Sequence, residues 1–90
     1  MLEARQFIGT SAHDALLAAC RALRHLAEPA LEAELIVALA LNVDRVGLRR
    51  EPGRHLTEHE ECAYAALVTA RARGVPFAYL SGKQLSLIHI

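Results

Sequence analysis

Histidine and cysteine come first, because they supply metal ligands and nucleophiles. His59 and Cys62 stand three residues apart, a spacing that puts both on one face of a helix, and zinc accepts both residue types. A closed zinc site needs four ligands, and His13, Cys20 and His25 show no spacing that supplies the rest. The pair therefore reads as an ordinary helix surface with a buried thiol. Cys20 beside a histidine could be a nucleophile, but it falls on the apolar stripe of its segment, where an inert structural thiol is the usual state. Arg45, Arg49, Arg50 and Arg54, with His55, form a local basic cluster. It could dock an acidic surface or RNA; the plainer reading is a solvated face with cations near a helix C-terminus. Pro76 and Tyr79 could be ligand contacts. More simply, Gly74 stops one helix, Pro76 starts the next, and Tyr79 and Leu80 anchor it. No residue is assigned a catalytic, cofactor-binding or metal-binding role.

Those residues must be held by helices. Ser11, with Asp14 three positions on, resembles a capping box, and Leu16, Ala19, Cys20 and Leu23 follow as a helical stripe that should run to about Ala27. Pro29 opens a second helix, with Glu28, Glu32 and Glu34 near its positive end. Leu35 to Leu41 carries no polar side chain, which marks this as the central, buried helix. A buried strand competes for LIVALAL, but the helix-forming LEAE before it argues otherwise. Asn42 can close the helix in the left-handed conformation. Asp44 can cap a short helix from Arg45 to about Arg50, with Val46 pointing inward and Leu48 unassigned. Pro52 and Gly53 break the chain. Thr57 and Glu60 form a full capping-box signature, followed by a stripe of Ala63, Ala66, Leu67 and Ala70 ending at Gly74. Val75 and Pro76 restart a fifth helix through Leu80, stopped by Gly82. Leu2, Phe7 and Ile8 form either a short packed turn or a frayed end. The expected fold is all-α, a small bundle of about five helices.

Composition agrees. The chain has 90 residues, room for one domain. Hydrophobic residues make up 53%, which excludes disorder, while aromatics are only 4%, so Ala, Leu, Val and Ile must build the core. Ten basic and ten acidic residues cancel, so the chain lacks the positive field of a nucleic-acid binder. Two cysteines are too few for a disulfide scaffold. The start MLEARQFIGT has no basic segment leading into an apolar core, and the longest apolar run is too short to span a bilayer. A cytoplasmic, monomeric protein that binds neither nucleic acid nor membrane is expected.

Two stretches carry a resemblance. Residues 29–45, PALEAELIVALALNVDR, resemble the P-x-L-D/E-A-E-L-L-L-A-x-x-L-G-V-x-R segment of the bacterial release-factor glutamine methyltransferases of the HemK/PrmC type. Residues 70–83, ARARGVPFAYLSGK, resemble their R-R-x-x-G-x-P-x-A-Y-L-x-G segment, in the same order and at a fitting distance. The match covers about residues 11–84. It implies an N-terminal helical domain that helps hold a peptide-chain release factor. In the family a following domain binds S-adenosylmethionine and methylates the glutamine of the GGQ motif, using a glycine-rich loop and an N-P-P-Y motif. Neither motif occurs here, and Asn42 is the only asparagine. The family's active-site residues therefore carry over to no position of this sequence, and the catalytic domain is absent from it.

After Gly82-Lys83-Gln84 the family pattern is lost, and the sequence reads LSLIHI. That hexapeptide is what CTG-TCT-CTT-ATA-CAC-ATC encodes, which resembles a transposon end used in sequencing-library preparation. Residues 1–84 are thus expected to be the domain and 85–90 a non-native read-through tail, an expectation that the coding DNA tests. The leading expectation is the release-factor-recognition domain of such a methyltransferase, inactive alone. The alternative is a standalone helical interaction module with no enzymatic activity. A helix-turn-helix DNA binder is disfavoured by the neutral charge and the arginine-poor middle of the fourth helix.

Overall fold

The computed structural model describes residues 10–81. The expectations for Leu2, Phe7, Ile8 and Gly82, and for the tail 85–90, concern residues outside that range. Four helices follow in order: α1 (Ala12–Ala22), α2 (Pro29–Leu41), α3 (Arg45–Arg50) and α4 (Glu58–Ala72). Residues 77–81 are also helical. The fold is all-α, and among the described residues β-structure is limited to one isolated bridge, Ser11 to His55. LIVALAL is helical, not a strand.

Local chemistry accounts for most helix ends. The Thr57 hydroxyl accepts the Glu60 N–H at 3.1 Å, and the Glu60 carboxylate accepts the Thr57 N–H at 2.9 Å, so the full capping box forms. At α1 only the serine half forms, with the Asp14 N–H donating to Ser11 Oγ at 3.1 Å. Asp44 caps α3 by accepting the Gly47 N–H at 2.7 Å. Asn42 adopts φ 59° and ψ 43°, and the N–H groups of Asn42 and Val43 bond back to Leu39 O and Ala38 O. Gly74, at φ 105°, does the same for α4, with Gly74 N–H to Arg71 O and Val75 N–H to Ala70 O. Both are Schellman ends, in which a left-handed residue lets two late carbonyls find partners.

Helix α1 ends at Ala22, short of the expected Ala27. The spacing of Leu23 and Leu26 mimics a continuing stripe. Instead the chain turns at Leu23, and the Leu26 N–H donates to Leu23 O at 2.9 Å. Both leucines then enter the same apolar cluster, Leu23 from the helix end and Leu26 from the turn. At its other end, α1 has its first two N–H groups taken by a distant loop: Ala12 donates to Arg54 O at 2.7 Å and His13 to Pro52 O at 2.9 Å.

Two contacts fix the direction of α4 relative to α1. The Tyr64 hydroxyl donates to Ala15 O at 2.8 Å, and His25 Nε2 lies 3.1 Å from Ala72 O. Residue numbers rise together along both segments, so α1 and α4 run parallel. Helix α2 returns antiparallel between them, its first-turn Glu32 meeting Arg71 in the last turn of α4. The core accordingly has two ends, both lined by α2. One joins Ala12, Ala15, Val37, Ala38, Leu41, Leu48 and Leu56. The other joins Leu23, Ile36, Ala40, Leu67 and Leu80. Tyr64 packs against both.

Three orientation expectations need correction. In α3 Val46 is 59% exposed and Leu48 only 2%. Arg45, Leu48 and Arg49 share the face that lies on α2, and Val46, one residue from Arg45, is turned about 100° away from it. In α4 Ala66 is exposed, because Tyr64 and Val68 belong to the packed face and rotate it away from Ala66. In the last segment Leu80 is buried and Phe77 packs beside it, whereas Tyr79 is 58% exposed.

Candidate docking surface

The basic cluster proves to be built largely of ion pairs. Glu34 projects from α2 toward α3 and receives both Arg45 and Arg49. Arg49 binds as a fork, Nε to Oε2 at 3.1 Å and Nη2 to Oε1 at 3.0 Å, and Arg45 Nη2 lies 2.9 Å from Oε1. The Arg49 bonds hold the Glu34 carboxyl below its usual range, with partial burial opposing them and Arg45 adding to them. The same bonds raise Arg49. Arg54 Nη2 donates to Glu60 Oε2 at 2.6 Å, so the capping-box glutamate also anchors the loop before α4. Of the cluster, Arg50 and His55 remain exposed without an ionic partner among the described residues. The face serves mainly to fasten α3 and the 51–57 loop to the bundle.

His59 and Cys62 are both exposed on α4. The buried thiol expected beside His59 is therefore not found, because Cys62 falls outside the face centred on Tyr64 and Leu67. Cys20 is half-buried and free. Among the described residues, no group of three or more His, Cys, Asp or Glu side chains is placed to hold a metal ion, and no helix is long and apolar enough to cross a membrane.

The most consequential polar contact joins the two sequence stretches singled out above. Arg71 donates Nε to Glu32 Oε1 at 3.0 Å and Nη2 to Glu32 Oε2 at 3.1 Å, while Nη1 donates to Val75 O at 3.2 Å. One guanidinium thus ties the start of α2, the end of α4 and the turn at Gly74–Val75. The Glu32 bonds raise Arg71 above its ordinary value despite partial desolvation. Sequence reasoning missed the pairing of Arg71 with Glu32, since nothing local links residues 39 positions apart. It likewise missed Tyr64 to Ala15 and Thr10 Oγ1 to Glu61 Oε2, 2.7 Å.

These contacts brace helix ends and loops against one another. A family model described as the PrmC N-terminal domain matches residues 14–82. The chain is also similar to a release factor glutamine methyltransferase of Koribacter versatilis (strain Ellin345), 38% identical over 68 residues, covering 70% of this chain and 24% of that protein. The chain therefore spans about a quarter of the length of that relative. No solved structure matches it. With the family match running from the first turns of α1 to beyond the Arg71-braced turn, and so through both joined stretches, the chain belongs to the PrmC N-terminal domain family.

Proposed function

We propose that this chain is the substrate-docking bundle of a release factor glutamine methyltransferase. It binds a peptide-chain release factor and transfers no methyl group itself. The observation that carries this reading is the 38% identity to a protein named for that activity, over the bundle alone. The internal chemistry supports it. Glu32, Glu34 and Glu60 are each engaged by arginine, leaving none of them as a free general base. In this reading S-adenosylmethionine is held elsewhere in the full-length enzyme, the chain itself takes no cofactor, and the setting is translation termination in the cytoplasm.

Titrating the 90-residue chain into purified release factor by calorimetry tests the proposal. Binding in the micromolar range is expected, as for a modest interface. No heat of binding up to about 1 mM chain would refute docking. Incubation with release factor and S-adenosylmethionine should give no methylated GGQ glutamine; a methylated peptide in the mass spectrum would overturn the view that the bundle only docks.

A further inference from the structure

The arginines of this fold divide into two groups. Arg45, Arg49, Arg54 and Arg71 are each paired with a carboxylate of the bundle. Arg21, Arg24, Arg50 and Arg73 are exposed and pair with no carboxylate among the described residues. Arg50 lies on α3. The other three gather at the opposite end, where α1 and α4 both terminate. The His25–Ala72 contact, 3.1 Å, sets their proximity. Arg24 is the chain neighbour of His25, and Arg73 that of Ala72. Arg21 lies one turn before Arg24, whose N–H reaches Arg21 O at 3.4 Å.

We infer that this pole, carried by Arg21, Arg24 and Arg73, is the face that grips an acidic surface of the partner protein. The inference rests on the proposed function for the partner's identity.

Carboxylates are scarce at the pole. Glu32 is fully engaged by Arg71, which leaves exposed Glu28 at the start of α2, and Glu61, which acts with Arg21 on Tyr64 and accepts the Thr10 hydroxyl, against three guanidinium groups. Cations near the ends of α1 and α4 do complement the helix dipoles, but that attraction is weak at an exposed terminus and does not consume the donors of the fork. Each guanidinium keeps five N–H donors arranged to meet a carboxylate two at a time. Nucleic acid is the poorer fit. The chain's net charge is zero, and exposed Glu28 stands at the start of α2 near this end. Arg71, Leu23 and Leu67 brace from within the backbone that carries the pole's cations.

The test is a calorimetric titration of release factor with the full chain and with the triple variant Arg21→Glu/Arg24→Glu/Arg73→Glu. Affinity should fall about tenfold or more, and the weakening of binding between low and moderate salt should largely vanish. Arg50→Glu, at the other end, should bind within about twofold of the unmodified chain. Circular dichroism reports folding, and if the triple reversal fails to fold, Arg21→Gln/Arg24→Gln/Arg73→Gln replaces it with an expected loss of about threefold. Equal affinity of the folded variants and the unmodified chain overturns the inference while leaving docking intact. Failure of the unmodified chain to bind overturns docking itself, and this inference with it. Tighter binding to a single-stranded RNA oligomer than to release factor, lost in the triple variant, would make the pole a phosphate-binding face and also overturn it.

Discussion

Tyr64 shows how much one side chain can join. Its ring touches both apolar clusters, and its hydroxyl donates to Ala15 O at 2.8 Å across 49 residues of sequence. Burial, followed by the Glu61 carboxylate, pushes its phenol above the ordinary value of 10.0, with Arg21 opposing. A raised acid favours the folded state while protonated. Its contribution is therefore complete below pH 10 and is lost as pH rises through the higher folded value. Tyr64→Phe should cost about 1 kcal/mol at neutral pH through the missing hydrogen bond. It should also blunt the fall in stability above about pH 10. Urea melts at neutral and alkaline pH check both, and an unchanged alkaline fall in the variant would assign that loss to another group. Residue-scale features of local origin were legible in the sequence. Thr57, Glu60, Asn42, Asp44 and Gly74 act on backbone groups a few positions away, and the structure places each as its chemistry implied. The acceptor for Tyr64 was not legible, because only the folded chain brings Ala15 to it.

Among the elements, α3 has the least to hold it. It has six residues and one buried side chain, Leu48, so it relies on Glu34 for its seat on α2. Glu34 lies below the ordinary glutamate value of 4.5, chiefly through its Arg49 bonds. A lowered acid stabilises the fold above its unfolded value, and that stability is lost as pH falls through the lower folded value. Glu34→Gln should therefore lower the thermal midpoint by up to a few degrees at pH 7, and the deficit should shrink toward zero near about pH 3. An equal deficit at both pH values would mean that the amide disturbs packing and not charge. The same dependence explains which element features escaped the sequence. Helix existence followed from caps and apolar spacing, but the facing of a short helix is set by its partner. Val46 looked internal because valine is apolar, but Leu48 takes the inward face of the helix and Val46 is turned outward. The early end of α1 escaped for a similar reason, since Leu26 keeps helical spacing while serving the same cluster from a turn.

At the scale of the whole molecule, everything converges on α2, whose successive residues Ile36 and Val37 enter opposite ends of the core. Both are fully buried. A domain of this size has only about 5–15 kcal/mol of net stability, so one cavity is a large fraction of it. Ile36→Ala should cost about 2–5 kcal/mol, depending on how far Leu23, Leu67 and Leu80 close in. A lowered urea midpoint with an unchanged slope would show that the two ends unfold as one unit, as their sharing of α2 and Tyr64 requires. A cost under about 1 kcal/mol would deny Ile36 a central place. The consequence for binding differs in kind from that of the pole arginines. A cavity in the core leaves the surface charges in place and acts through the fraction of chain that remains folded, so apparent affinity should fall only in proportion to that fraction. Affinity measured for Ile36→Ala at low temperature and again near its midpoint should converge on the unmodified value once scaled by the folded population. A residual loss after that scaling would place the docking contacts on the mobility of the core, and not on a preformed surface.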